Sequence, residues 1–317
     1  MIPKLLQVFV YPGILYMVTL AFFLEWLDRK FVARLQNRVG PHYAGPYGLL
    51  QPLADFVKLL TKESTVPSGA DGLLFTLCPV TAFIVVTTAV SFVPMTSTRG
   101  LLSTEGDVVA VLALITIYLL LVYTAGASSP SRYSLVGAVR AAHMLLGFEL
   151  PLMLSCLSVV ASAGSFKLSE IAAQKVWRVF GLHALGFAIF LIAAEAELDR
   201  LPFDIPEAEQ EIVSGWLVEY SSWRLALLRL TKDMELLLLS GLATTLFLGG
   251  PAGPAPPSAE NLLYPLYFLA KTALVVFLLS LIRASSARIR LDQFVTLCWR
   301  YLVPASFAYL MLAVWVV

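Results

Sequence analysis

Acidic residues are concentrated in one stretch of the chain. Ten of the 21 Asp and Glu residues lie between positions 195 and 235: Glu195, Glu197, Asp199, Asp204, Glu207, Glu209, Glu211, Glu219, Asp233 and Glu235. Carboxylates that share a low-dielectric site raise one another's pKa, and groups that exchange protons near neutral pH can form a proton relay. Since Glu195, Glu197 and Glu219 border apolar runs, we favour a relay over helix capping for these three. For the others both interpretations stay open, because Pro206 suits a first helical turn that Glu207 and Glu209 would complement.

Two more ionisable residues lie inside apolar runs. Glu149 has the sequence Met-Leu-Leu-Gly-Phe before it and Leu-Pro-Leu-Met-Leu after it. A carboxylate inside a membrane costs several kcal/mol unless it is protonated or paired, so Glu149 is a functional hypothesis. Lys271 is a second intramembrane charge and is expected to be the counter-charge of Glu149, with snorkelling to the interface as the alternative. His143 and His183 lie near the ends of apolar runs and are interpreted as interfacial polar residues.

The composition indicates which elements position these groups. Of 317 residues, 59% are hydrophobic and 14% are charged, and the mean hydropathy is +0.81, which excludes a soluble enzyme. Windows of about 20 apolar residues predict an all-α fold, a polytopic membrane helix bundle with about eight transmembrane helices. The expected spans are 5–26, 73–95, 108–127, 143–163, 180–196, 235–250, 262–282 and 297–317. The whole chain, 1–317, would be one membrane domain with a cytoplasmic loop at 28–72 and an acidic cytoplasmic loop at 197–234.

The distribution of Lys and Arg predicts the orientation. The odd-numbered loops hold 15 of these residues and the even-numbered loops hold four. Short loops rich in Lys and Arg stay in the cytoplasm. We therefore expect a multi-pass protein of a prokaryotic cytoplasmic membrane with both termini outside.

The first cytoplasmic loop contains a predicted amphipathic helix. Its apolar residues recur at helical spacing opposite a polar face; the apolar set is Leu49, Leu53, Phe56, Val57 and Leu60, and the polar set is Gln51, Asp55, Lys58 and Lys62. One interpretation is a membrane-surface helix with a solvated Asp55–Lys58 ion pair. The other is that the polar face forms the floor of a cavity beneath a docked partner.

Cysteine spacing and net charge limit the chemistry of the chain. Cys78, Cys156 and Cys298 are far apart and form no metal-ligand spacing, so we expect no metal site, no catalytic centre and no covalently bound cofactor here. Iron–sulfur clusters would then belong only to partners. A formal charge of +1 gives no global basic field for binding nucleic acid, and the lipid bilayer is the expected environment.

Several longer motifs carry a family resemblance. They are Arg34-Leu-Gln-Asn-Arg38-Val-Gly40-Pro41, Gly45-Pro46-Tyr-Gly48-Leu-Leu-Gln51-Pro52-Leu-Ala-Asp55-Phe-Val-Lys58-Leu, Ser131-Arg-Tyr133 through Arg140-Ala-Ala and Glu149, Glu197 with Arg200-Leu-Pro202-Phe203-Asp204-Ile-Pro-Glu207-Ala-Glu209, Glu219-Tyr220-Ser221, Leu242-Ala-Thr-Thr-Leu-Phe-Leu-Gly-Gly250, and Arg283-Ala with Arg288-Ile-Arg290-Leu-Asp292-Gln293. In this order, over nearly the whole chain, they resemble the H-type (subunit 1) membrane protein of respiratory complex I and its relatives in membrane-bound hydrogenases.

The resemblance implies a subunit that links a peripheral redox arm to an ion-pumping arm. Arg34, Arg38, Asp55 and Lys58 would border a quinone cavity or face a partner. The carboxylate path for protons, or alternatively sodium ions, combines the resemblance with the charge argument: Glu149, Glu195, Glu197, Glu207, Glu209, Glu211, Glu219, Asp233 and Glu235. The implied partners are soluble iron–sulfur and hydrogenase-like peripheral subunits, small membrane subunits and antiporter-like subunits, with quinone possible at their interface.

The chain departs from the family pattern near the expected cavity. Met144, Gly147 and Phe148 stand where quinone-reducing members usually have Gln, Ser and Tyr, and Lys232 stands where Glu is usual. If a quinone tail passes the fourth span, a larger residue at position 147 would obstruct it. The alternative function is the equivalent subunit of a quinone-free, ferredoxin-dependent hydrogenase or sulfur-reducing complex. A stand-alone secondary transporter ranks third, because such proteins commonly have two related halves that are not evident here.

Overall fold

All the regular secondary structure in the described part of the chain is helical, as the hydrophobic pattern predicts. The computed structural model describes residues 7–254, 256 and 259–316, and no strand occurs among them. The principal helices are α1 (Ile14–Leu35), α2 (Gln51–Leu60), α3 (Gly72–Phe92), α4 (Asp107–Ala127), α5 (Arg132–Ala163), α6 (Leu168–Ala173), α7 (His183–Glu197), α8 (Glu209–Ile212), α9 (Ser222–Phe247), α10 (Glu260–Ser285), α11 (Leu291–Leu297) and α12 (Val303–Val316). A π-helical segment, Cys298–Leu302, joins α11 to α12.

Six helical segments in the described residues are long and apolar enough to cross a membrane. They are Gln7–Leu35, Gly72–Phe92, Asp107–Ala127, Arg132–Ala163, Glu260–Ser285 and Leu291–Trp315. The other two expected spans correspond to α7, which has only 15 residues, and to α9, which carries several charges in its first half. The bundle is therefore a polytopic membrane helix bundle in which α7 and α9 depend on their neighbours more than on their own hydropathy.

Two helices begin earlier than hydropathy predicts. Helix α5 starts at Arg132 rather than at 143, and α9 starts at Ser222 rather than at 235. In both cases the extra turns are polar, so a hydropathy window excludes them although no Pro or Gly pair interrupts the helix. The last part of the expected 197–234 loop is therefore helical.

Helix α9 forms the centre of the bundle. Every residue from Met234 to Phe247 is buried. Helix α9 packs against α3, α1 and α10, while α5 packs against α4, α7 and α12. The charged first half of α9 is thus continuous with a fully buried second half.

The segment between α7 and α9 folds back against α4 and α5. The Ser134 hydroxyl donates hydrogen bonds to the carbonyls of Gly126 and Trp216 at 3.0 and 3.2 Å. Gly215 has a φ of +55°, and a Cβ there would collide with the Pro206 carbonyl, so only glycine fits. Pro206 itself precedes α8, which begins at Glu209; the expected helix start at Pro206 was therefore wrong.

Candidate functional site

A charged cavity opens at the end of the bundle where α1 ends and α9 begins. Its volume is about 370 Å³. The charged residues that line it are Glu25, Arg29, Asp55, Asp199, Arg200, Asp204, Glu207, Glu209, Arg229, Lys232, Asp233 and Arg283. Its apolar walls are Phe22, Pro52, Phe56, Leu59, Leu198, Leu201 and Leu230. Residues from four helices, α1, α2, α9 and α10, thus meet in one place with residues 198–221 between α7 and α9, here called the acidic segment.

The amphipathic helix α2 forms one wall of the cavity. Asp55 accepts hydrogen bonds from Arg29 at 2.7 Å and from Gln51 at 2.8 Å. The expected Asp55–Lys58 ion pair does not form, because Arg29 on α1 is the partner of Asp55. Phe56 packs on Phe22 with ring centroids 5.8 Å apart.

The other residues expected at this cavity lie outside its lining. Arg34, Arg38 and Lys58 are exposed. Helix α2 also carries exposed apolar residues, namely Leu53, Val57 and Leu60. Helix α2 therefore has an exposed apolar face and contributes Asp55 to the wall of a cavity, while its contact with a membrane surface or a docked partner stays a prediction.

A buried aspartate ties the cavity walls together. Asp28 is fully buried, and one of its oxygens lies 2.7 Å from Arg283 and 3.2 Å from Arg200. Ser280 donates a hydrogen bond to the other oxygen at 2.7 Å. Arg200 also contacts Glu25 at 3.1 Å. Two guanidinium groups thus balance the buried charge of Asp28 and join α1, α10 and the acidic segment.

Lys232 balances the negative charge of two carboxylates in the cavity wall. Its ammonium group binds Glu207 and lies 3.3 Å from Asp199. Burial, opposed by Lys232, raises the pKa of Asp199 to about 7. Burial and the nearby Glu207 raise the pKa of Asp204 to about 6. Two aspartates beside the cavity can therefore exchange protons close to neutral pH.

Three carboxyl groups extend from the cavity into the bundle. Glu195, Glu197 and Glu235 are at most 2% exposed. Among the described residues, neither oxygen of Glu195 or Glu197 has a hydrogen-bond partner, and one oxygen of Glu235 has none. Glu197 interacts electrostatically with Glu235, Asp199 and Glu149. The expected relay residues Glu195 and Glu197 are thus buried, and α9 brings Glu235 beside Glu197.

Glu149 has a different partner from the expected one. It is half-buried and accepts a hydrogen bond from the Thr116 hydroxyl of α4. The expectation that Lys271 is its counter-charge was wrong. The Lys271 ammonium donates to the carbonyls of Leu248, Gly250 and Ala252 at 2.9, 2.7 and 2.8 Å, at the end of α9.

The other carboxylates expected in the proton path differ from one another in exposure and in partners. Glu211 is exposed and pairs with Arg140 at 2.5 Å and Arg288 at 3.3 Å, and the hydrogen bond from Arg140 lowers the pKa of Glu211. Glu209 is exposed at the cavity, and Glu219 is half-buried. Asp233 is half-buried in the cavity wall.

The three residues of the fourth span that depart from the family pattern, Met144, Gly147 and Phe148, do not line the charged cavity. Met144 and Phe148 are 1% exposed core residues. A Cβ added at Gly147 would lie 2.8 Å from the Phe294 ring and 3.3 Å from the Cys298 sulfur. Gly147 therefore allows α11 to approach α5. A larger residue there would first disturb this packing, and obstruction of a quinone tail at position 147 stays a prediction.

Sequence reasoning missed several site residues. Glu25, Arg29 and Arg283 line the cavity, and Tyr118 is a buried neighbour of Glu235. The four-residue spacing of Glu25 and Arg29 is a recognisable helical ion-pair signal. Nothing in the sequence relates Tyr118 to Glu235. No cluster of three or more metal-ligating side chains occurs in the described segments, where Cys78, Cys156 and Cys298 are buried free thiols.

Comparisons with known proteins agree over nearly the whole chain. The family model described as NADH dehydrogenase matches residues 8–314. The H subunit of the NADH-quinone oxidoreductase of Dehalococcoides mccartyi is 40% identical over 289 residues, which cover 90% of this chain and 80% of that protein. An H subunit of the corresponding enzyme of Geobacter metallireducens is 38% identical over 311 residues, covering 94% and 92%. The equivalent protein of Brevibacillus brevis is 38% identical, covering 89% and 84%.

Proposed function

Since the chain belongs to the NADH dehydrogenase family, we propose that it conducts protons between a redox arm and a pumping arm. It is a membrane subunit of an NADH-quinone oxidoreductase. In this proposal, electron transfer in the redox arm acts on the groups of the charged cavity. The buried carboxyl groups behind it then carry protons into the membrane.

The observation that carries this proposal is a group of buried carboxyls that lack a cationic partner among the described residues. Glu195, Glu197 and Glu235 are buried, and of their six carboxyl oxygens five have no hydrogen-bond partner there. Isolated ionised carboxylates would cost several kcal/mol there, so these groups are protonated or hydrated. A carboxyl that gains and loses its proton without a fixed cation is suited to conduction, whereas Asp28, held by two arginines, is suited to structure.

Substitution of Glu197 tests the relay. Glu197→Gln keeps the side-chain volume but removes the exchangeable proton. We expect the complex to assemble and to transfer electrons, while proteoliposomes pump at least about fivefold fewer ions per electron. Glu149→Gln should have the same effect, whereas Asp292→Asn, on an exposed residue, should have none. Pumping at the wild-type ratio in Glu197→Gln and Glu149→Gln would make these residues structural.

We further propose that a quinone headgroup enters the cavity beside Asp55. Phe22, Phe56 and Leu59 supply an apolar wall suitable for a tail, and Asp55 with Arg29 supplies polar groups for the headgroup. Arg34, Arg38 and Lys58 are proposed to face soluble partner subunits, because they are exposed near the same end of the bundle. Glu207, Glu209, Glu211, Glu219 and Asp233 are proposed as the entrance of the path.

The alternatives are less well supported. The three relatives compared above are named NADH-quinone oxidoreductases, which favours a quinone-linked complex over the ferredoxin-linked hydrogenase. Their names also argue against a stand-alone secondary transporter. We propose that the partners are soluble iron–sulfur subunits, small membrane subunits and antiporter-like subunits, and that both termini lie outside the cytoplasm.

A further inference from the structure

Two adjoining cavities lie at the opposite end of α1 from the charged cavity. The larger, of about 440 Å³, lies between residues 7–14 and the second half of α3, where Phe83, Ile84 and Thr88 line it. The smaller, of about 250 Å³, contains Arg99 at its wall. Gln7 and Leu101 line both, so the two cavities adjoin each other.

The larger cavity is an apolar groove. Thr88 and Ser91 spend their hydroxyl hydrogen bonds on carbonyls of their own helix, at 2.7 and 2.8 Å. These two side chains therefore present mainly carbon to the groove. The polar groups left in its described lining are the Gln7 side chain and the Thr87 hydroxyl, which has no hydrogen-bond partner there. From Phe83 to Ser91 the helix rises about 12 Å, which matches a large part of one fatty acyl chain. Most of the groove wall is apolar, with Val8, Ile14, Phe83, Ile84, Leu101 and Leu102 in its lining, and this part of α3 lies within an apolar span. An acyl chain is therefore a suitable occupant.

The smaller cavity presents a cation at the mouth of this groove. Arg99 is exposed and is the single Lys or Arg residue between positions 93 and 106. Ser97 fixes its backbone, since the Ser97 hydroxyl donates to the Arg99 carbonyl at 2.9 Å and accepts from the Arg99 amide at 3.3 Å. No acidic residue occurs among the described residues that line either cavity. A guanidinium group forms strong, paired hydrogen bonds with phosphate oxygens.

We propose that these two cavities form a phospholipid-binding site. The phosphodiester binds Arg99, and one acyl chain lies in the groove along α3. The combination of an apolar groove and a cation at its mouth matches a phospholipid, because a free anion would need no groove and a detached hydrocarbon chain would need no cation. This site is independent of the charged cavity and of the proton path.

Photocrosslinking tests the site in the purified complex. The probe is phosphatidylglycerol with a diazirine on one acyl chain, added at limiting concentration to detergent micelles, with crosslinked peptides mapped by mass spectrometry. We expect labelling of residues 83–102 in the wild type. Arg99→Gln should lower this labelling about tenfold through the lost charge-assisted hydrogen bonds, and Arg99→Lys should recover part of it. Thr88→Phe should lower it by filling the groove.

Matched controls make the outcome decisive. Lys167→Gln removes a cation at the same end of the bundle, outside both cavities, and should leave the labelling unchanged. Inorganic phosphate should not displace the lipid probe. Equal labelling in wild type, Arg99→Gln and Thr88→Phe would overturn the proposal. Displacement by inorganic phosphate together with insensitivity to Thr88→Phe would show a free-anion site, and absence of labelling because a partner subunit covers this face would also overturn it.

Discussion

Asp28 and Glu197 are both buried carboxyl groups, but their surroundings differ. Asp28 is held by Arg283, Arg200 and Ser280, so its charge is balanced in the folded state. Glu197 is equally buried and has no such partner among the described residues. Burial identifies both as unusual, but only the surrounding charges distinguish a structural group from an exchangeable one.

Lys271 illustrates a charge whose role is structural. Its ammonium group donates to the carbonyl of Leu248, which caps α9, and to the carbonyls of Gly250 and Ala252 in the segment that follows the helix. We expect Lys271→Met to destabilise the complex by roughly 3 kcal/mol while the ratio of ions pumped to electrons is unchanged. Thermal inactivation and proteoliposome pumping measure the two effects. Lys175→Met, on an exposed lysine, is the control, and a lower pumping ratio without lost stability would restore a proton role for Lys271.

Asp199 should control the pH dependence near neutrality. Burial raises its pKa from 3.8 to about 7, so the folded protein retains a proton that the unfolded chain releases above about pH 4. Its contribution to stability therefore becomes less favourable as pH rises from about 4 through 7. We expect Asp199→Asn to flatten the pH profile of pumping between pH 6 and 8 and to raise stability more at pH 8 than at pH 5. An unchanged profile, equal to that of the Asp292→Asn control, would contradict this assignment.

At the level of elements, α2 joins a membrane surface to a cavity wall. Leu53 is exposed on α2, whereas Leu59 lines the cavity and is half-buried. The same helix thus offers two leucines for matched substitutions. Comparing substitutions of the two leucines distinguishes obstruction of the cavity from disturbance of the exposed apolar face of α2.

Enlarging Leu59 should obstruct quinone access. We expect Leu59→Trp to lower quinone-dependent activity severalfold while electron transfer to a soluble artificial acceptor is retained, because the added indole ring fills part of the 370 Å³ cavity. The ratio of the two activities in membranes is the measurement. Leu53→Trp should leave this ratio unchanged. An equal decrease in both activities for Leu59→Trp would indicate a packing defect and count against quinone entry here.

For the whole molecule, the helix order places the acidic segment and the 36–71 loop at one end. The segments 93–106 and 164–182 lie at the other end, because α3, α4 and α5 cross the bundle in alternating directions. The excess of Lys and Arg in the first group predicts that this end faces the cytoplasm. Partner subunits that carry electrons would then dock beside the charged cavity.

Cysteine labelling tests this orientation. In intact cells, an impermeant maleimide should not label Ala44→Cys in the 36–71 loop but should label Glu105→Cys at the opposite end, where the glutamate side chain is 97% exposed. The native Cys78, Cys156 and Cys298 are buried and give a low background. Labelling of Ala44→Cys with protection of Glu105→Cys would reverse the orientation. Permeabilised cells should label both variants, which controls for accessibility.

The sequence by itself determined the membrane bundle, the order of its long helices and the acidic segment. These depend on local composition, since about 20 apolar residues suffice to define a span. It also identified Glu195 and Glu197 as buried carboxyls, because both follow directly on an apolar run.

Only the tertiary structure decided which charges meet. Asp28 and Arg283 are 255 positions apart, and Lys271 faces backbone carbonyls that have no sequence signature. Hydropathy also failed to predict the charged first half of α9. The charge of Lys232 in this half is balanced by Asp199 and Glu207 only after folding. Charge pairing and cavity formation depend on distances across the bundle, which hydrophobic periodicity along the chain does not encode.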